Sequence, residues 1–182
     1  MDDSQKSADE LAAQIAQLEK DRDAVQAKID AAENHFAAIG KVAEAWAAVE
    51  LTIDMGVWRL AGVEEQFGAC VTSQIAGGAR KLDAFISLAK LRGADDKLTK
   101  RINKFAETAR QLQERRNRVV HDPWIFHDED GPQRYEVSAR RIAKMDLIPV
   151  PTTAVLALAQ EIEGLWNDLL DISEITDTLA SS

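Results

Sequence analysis

Apolar residues recur through the first forty positions at alternating steps of four and three: Leu11, Ile15, Leu18, Val25, Ile29, Phe36 and Ile39, with Arg22 and Ala32 at the two remaining steps. A period of 3.5 is an a/d seam, and the stretch has no Gly or Pro before Gly40, so the pattern predicts one long N-terminal helix. Arg22 at a seam position weakens a coil while fixing its register. Two arrangements satisfy such a seam, packing across the chain's own core or pairing with another copy, and the spacing alone favours neither.

A second helical stripe, Val42, Ala45, Trp46, Val49, Ile53 and Val57, predicts a helix from about Lys41 to Leu60. A third helix is predicted over roughly Glu64 to Leu91, kinked at the Gly77-Gly78 pair and closed by Arg92-Gly93. The fourth begins at Asp95-Asp96, acidic in its first turn and basic in its last, and runs through Leu98, Ile102, Phe105, Ala109, Leu112, Val119 and Val120. Pro123 ends it, because the residue before proline avoids helical geometry. The period then changes: Trp124-Ile125-Phe126, the polar Asp128-Glu129-Asp130-Gly131 and Tyr135-Glu136-Val137 predict a β-hairpin. Ile148, Pro149, Val150 and Pro151 read as an extended linker, and Thr152 or Thr153 as the cap of a last helix bearing Val155, Leu158, Ile162, Leu165, Trp166, Leu169 and Ile172.

The expected fold class is therefore all-α. Residues 1–40 form a long N-terminal helix, a candidate coiled coil, and residues 41–182 a helical bundle with a small hairpin at about 124–138, inserted before the last helix. Four Pro and nine Gly in 182 residues argue against an all-β or collagen-like chain. The acidic start Met1-Asp2-Asp3 and the lack of a long apolar run argue against a signal peptide, a membrane span and a membrane partner. The single cysteine, Cys70, has no intrachain partner and is flanked by Ala69 and Val71, so it is expected to pack in the core of a protein of the reducing cytoplasm.

The net charge of −9 disfavours nucleic acid unless the positive charges cluster. Residues 1–33 carry four basic and nine acidic side chains, residues 122–182 four and twelve, but residues 34–121 carry fourteen and ten. From Arg101 to Arg118 in the fourth helix Arg101, Lys104, Arg110, Arg115, Arg116 and Arg118 oppose only Glu107 and Glu114, which makes Arg110, Arg115 and Arg118 candidate RNA contacts. The competing expectation is that most of these arginines pair with the acidic segments.

The same helix ends in Arg116-Asn117-Arg118-Val119-Val120-His121-Asp122-Pro123. Asn117 and His121, four apart, share a face, and Arg116 flanks it. A histidine near a helix C-terminus has its imidazolium favoured by the macrodipole, and Asp122 is a candidate carboxylate partner. Phosphodiester transesterification asks for this equipment: a base for a ribose 2′-OH, an acid for the leaving 5′-oxygen, and a cation on the charged phosphorane.

This string resembles the HEPN (higher eukaryotes and prokaryotes nucleotide-binding) signature of an Arg, a polar residue, a short spacer and a His at a helix end. The resemblance covers about residues 110–124. It implies an all-α bundle that forms a homodimer, whose two motifs build one composite, metal-independent endoribonuclease site with Arg116, Asn117 and His121 as catalytic residues. It also implies RNA as substrate, no cofactor, and a role as a toxin or antiphage effector beside a nucleotidyltransferase-like antitoxin. The competing readings are a non-catalytic nucleotide-binding or coiled-coil interaction protein, and structural hydrogen bonds from Arg116, Asn117 and His121 to the hairpin.

Elsewhere the candidate chemistry is sparse. His35 lies beside Phe36 and His127 at the start of an acidic turn, and no His/Cys/Asp/Glu spacing resembles a zinc site. Trp46, Trp58, Trp124 and Trp166 fit packing roles rather than a base-stacking platform. Neither a Gly-rich phosphate loop nor a Ser or Cys nucleophile motif is present.

Overall fold

The computed structural model describes residues 3–127, 131–138 and 144–180. Among them are five helices, α1 (Asp3–Ala61), α2 (Glu65–Thr72), α3 (Gly78–Leu91), α4 (Asp96–His121) and α5 (Thr152–Ala180), with strands β1 (Trp124–His127), β2 (Gly131–Ser138) and β3 (Lys144–Pro149) between α4 and α5. The all-α class, the long N-terminal helix and the small sheet before the last helix are as expected from the pattern. No helix among the described residues is long and apolar enough to cross a membrane.

The first two predicted helices are one. The helix α1 has 59 residues, about 88 Å at 1.5 Å per residue, and passes through Gly40 without a break. A glycine inside a helix costs about 1 kcal/mol, and the buried Ala38, Val42, Trp46, Val49, Ile53, Val57 and Leu60 on both sides of Gly40 outweigh it. The third predicted helix is two. The chain leaves the helix after Thr72 and restarts at Gly78, and Gly77, with φ +84°, takes a conformation that turns the backbone instead of kinking a continuous helix. On α2 the buried positions are Gly68 and Thr72, with the Trp58 indole N–H donating to the Thr72 hydroxyl at 3.1 Å. Cys70 consequently faces solvent and not the core.

Side-chain pairs give the directions of the bundle. His35 meets Thr152, Thr52 meets Trp166 and Arg59 meets Asp177, so α5 runs parallel to α1. Lys81 meets Asp54 and the Arg92 Nε donates to the Leu60 carbonyl, so α3 is parallel as well. The helix α4 runs the other way, through Arg110 with Asp83, Arg101 with Asp171 and Arg115 with Glu161. Its start is capped by Asp95, whose Oδ1 accepts from the Leu98 N–H at 2.7 Å. Its end comes at Asp122, extended at ψ 144° before Pro123. The C-terminus of α4 thus lies at the end of the bundle where α3 and α5 begin and where α1 enters from outside.

The sheet is antiparallel in the order β1-β2-β3. Trp124 pairs with Arg134 and Phe126 with Pro132, as in a hairpin, whereas Asp128-Glu129-Asp130 lie outside the described residues. Ile148 and Pro149, expected in a linker, belong to a third strand, with Tyr135 opposite Leu147 and Val137 opposite Met145. The alternation Met145-Asp146-Leu147 carries that strand, and the Pro149/Pro151 punctuation hides it in the sequence.

From Glu10 to Ala31 every residue of α1 is exposed, and His35 is the first buried one. Leu11, Ile15, Leu18, Val25, Ile29 and Phe36 retain 46–68% of their surface. The seam is therefore not packed across this chain's own core; it lies on a helical arm that leaves the bundle.

Candidate functional site

The last two turns of α4 bring Arg116, Asn117 and His121 together. One guanidinium nitrogen, Arg116 Nη1, donates to Asn117 Oδ1 at 3.1 Å and reaches His121 Nε2 at 3.3 Å. Arginine has donors only, so Nε2 can serve this contact only as the acceptor. Asn117 and His121 are exposed on one face, and Arg116 is half-buried beside them with its Nε shielded from solvent and without a hydrogen-bond partner. Arg116 contacts both of the others, and none of the three side chains hydrogen-bonds to the described residues of the sheet. Asp122, expected as a partner for His121, instead faces Arg118 at 3.6 Å and Arg134 at 3.7 Å.

The neighbouring arginines are occupied. Arg110 pairs with Asp83 at 2.6 Å, and Arg118 lies between Asp122 and Glu136, the latter at 3.8 Å. Arg115 grips Glu161 with both terminal nitrogens, Nη2 donating to Oε1 at 2.8 Å. The hydrogen bond from Arg115 lowers the Glu161 carboxyl below its ordinary range and raises the guanidinium. Both partners are about half exposed, so the pair contributes at most about 1 kcal/mol to stability. The three candidate RNA contacts thus carry compensated charge, as the pairing expectation had it. No carboxylate among the described residues forms an ion pair with Arg116.

A cleft of about 550 Å³ lies between α4, β2 and the start of α5, lined in part by Arg115, Arg118, Arg134 and Glu136. Its charges are balanced by the Arg134–Glu136 contact at 2.6 Å and by the Arg118 pairs. The Arg116-Asn117-His121 cluster lies outside this cleft, on open surface.

What holds the end of α4 is a half-buried tryptophan seated on a buried histidine. Trp124 donates its indole N–H to the Val119 carbonyl at 2.9 Å, filling one of the acceptors a helix C-terminus leaves open. The same ring packs edge-on against His35 at 4.3 Å between centroids, and Phe126 adds a second edge contact at 5.6 Å. His35 is 0% exposed, its Nδ1 hydrogen-bonded to the Thr152 hydroxyl at 2.9 Å and its Nε2 unpartnered. Burial lowers the His35 imidazole below the ordinary histidine range. No motif marks this histidine; its place on the 35, 38, 42, 46 stripe is the signal that it faces inward. The other tryptophans pack as expected, Trp46 fully buried and Trp166 donating to the Thr52 hydroxyl at 3.0 Å.

Among the described residues no group of three or more His, Cys, Asp or Glu side chains is gathered as a metal site. Comparison of the chain with protein-family models, curated proteins and solved structures gave no match.

Proposed function

We propose that this chain is a HEPN-like, metal-independent endoribonuclease whose site is completed by a second copy. The observation that carries the reading is the uncompensated guanidinium of Arg116 in contact with both Asn117 and His121, in a segment where Arg110, Arg115 and Arg118 all face carboxylates. A phosphate entering this surface draws Arg116 away from the imidazole, and the freed His121 Nε2 accepts the 2′-OH proton. The 2′-oxygen attacks phosphorus, Arg116 stabilises the added negative charge, and the bond to the 5′-oxygen breaks as that oxygen takes a proton from the His121 of a second copy, which enters the step as the imidazolium and leaves it neutral. The products are a 2′,3′-cyclic phosphate and a 5′-hydroxyl. Asn117 is a positioning residue that holds the guanidinium beside the imidazole.

Family resemblance extends the proposal to a cytoplasmic toxin or antiphage effector controlled by a nucleotidyltransferase-like antitoxin. The test is cleavage of a mixed pool of structured RNA in EDTA by the wild type, His121→Ala and Arg116→Ala, purified side by side. Cleavage with 2′,3′-cyclic ends that both variants lose supports the reading, and equal cleavage by all three overturns it. The exposed apolar arm favours a second reading, a non-catalytic interaction protein, which gains if the wild type leaves the pool intact.

A further inference from the structure

The arm of α1 poses a question that chemistry at α4 does not answer. Glu10 to Asn34 span about 37 Å of helix. Their seam is apolar, yet at 100° per residue it is rotated on the order of 100° from the stripe of His35, Ala38, Val42, Trp46 and Val49 that enters the bundle. A helix serving only its own core keeps one stripe. Here the apolar stripe changes face where the arm meets the body, so the bundle cannot cover the arm by continuing its own packing.

We infer that the arm pairs with the arm of a second copy as a parallel two-stranded coiled coil. The heptad identifies the occupant. The steps of three from Ile15 to Leu18 and from Arg22 to Val25 put Ile15, Arg22 and Ile29 at a, and Leu11, Leu18 and Val25 at d. Isoleucine at a with leucine at d is the combination that favours two parallel strands over three or four. Arg22 supports the same choice by charge. In a parallel pair the two Arg22 side chains share a layer, each flanked by the other strand's Asp21 at the preceding g position, and each already contacting Asp23 of its own strand at 2.9 Å. Two arginines among four aspartates tolerate that layer, and a single charged layer fixes the register against a slip of one heptad. Parallel pairing has a geometric consequence as well. The arm leaves the body at the end that holds Trp124 and the α4 C-terminus, so both site-bearing ends sit at one level along the coil axis.

The inference does not rest on the ribonuclease reading, and its test reads no activity. Sedimentation of the full chain from low to high micromolar concentration is expected to show a dimer. Leu18→Glu with Ile29→Glu is expected to be monomeric with unchanged melting of the bundle, because both side chains are exposed and touch no core. In a Cys70→Ser background, Leu11→Cys is expected to form a disulfide-linked dimer in air. In the antiparallel register that pairs Leu11 with Ile29, which covers the seam from Leu11 to Ile29 end to end, the two Leu11 positions lie about 27 Å apart along the axis and do not cross-link. A monomeric wild type, or a dimer that survives the double glutamate substitution, overturns the inference. A dimer in which Leu11→Cys does not cross-link overturns the parallel pairing.

Discussion

His35 joins three elements at the root of the arm, and replacing it by leucine tests whether its burial is as costly as the structure indicates. A neutral imidazole carries one N–H and one lone pair; the Thr152 hydroxyl satisfies one nitrogen, while Nε2 is buried and unmet. Removing an unmet buried polar atom returns about 1–3 kcal/mol, and losing the Thr152 hydrogen bond and the edge contact with Trp124 costs about 0.5–1.5 kcal/mol each. The terms nearly cancel, so at pH 8 His35→Leu is expected within about 1 kcal/mol of the wild type. The difference appears with acid. Burial holds the folded-state value below the unfolded one of 6.5, so the unfolded chain binds this proton first as pH falls. The wild type's stability is whole above that value and drains as pH falls from it toward the lower folded value, with a slope that cannot exceed about 1.4 kcal/mol per pH unit for one proton. Trp124, Phe126 and Thr152 around the ring carry no charge that would offset the loss. The assay is urea unfolding of both proteins followed by circular dichroism at pH 8, 7, 6 and 5. Subtracting the variant's curve removes every other titrating group, and a difference that stays flat across this range refutes the reasoning.

Further consequences follow from other positions. His121→Ala is expected to lower RNA cleavage at least about 100-fold at unchanged thermal stability, measured by end-product analysis beside a melting curve. Trp124→Phe keeps the ring on His35 but removes the bond to the Val119 carbonyl, so amide exchange in the last turn of α4 is expected to quicken. A Cβ at Gly56 would lie 2.5 Å from the buried Phe85 ring, so Gly56→Ala is expected to cost about 1–3 kcal/mol in urea unfolding. Gly164 on α5 meets nothing within 4 Å, and Gly164→Ala is expected to stabilise by up to about 1 kcal/mol in the same assay.

What could be read from the chain directly was whatever is local or periodic. The Asp95 cap, the stop at Pro123, the stripes of α4 and α5 and the a/d seam of the arm depend on neighbours three or four residues away, so residue order carries them. The Arg116-Asn117-His121 cluster belongs to this class too, since all three side chains project from two turns of one helix. Tertiary structure decided the rest. Gly40 resembles Gly77 as a punctuation mark, but the core residues on both sides of Gly40 hold the helix together, and only the backbone at Gly77 turned positive in φ. Leu147 and Ile148 became a strand because β2 offered them a hydrogen-bonding edge. Which arginines on α4 are compensated depended on carboxylates 27 to 46 residues away, Asp83 and Glu161, and which histidine is buried depended on a tryptophan 89 residues away. Such pairings have no period, because they are made by elements that meet only after the chain has folded back on itself.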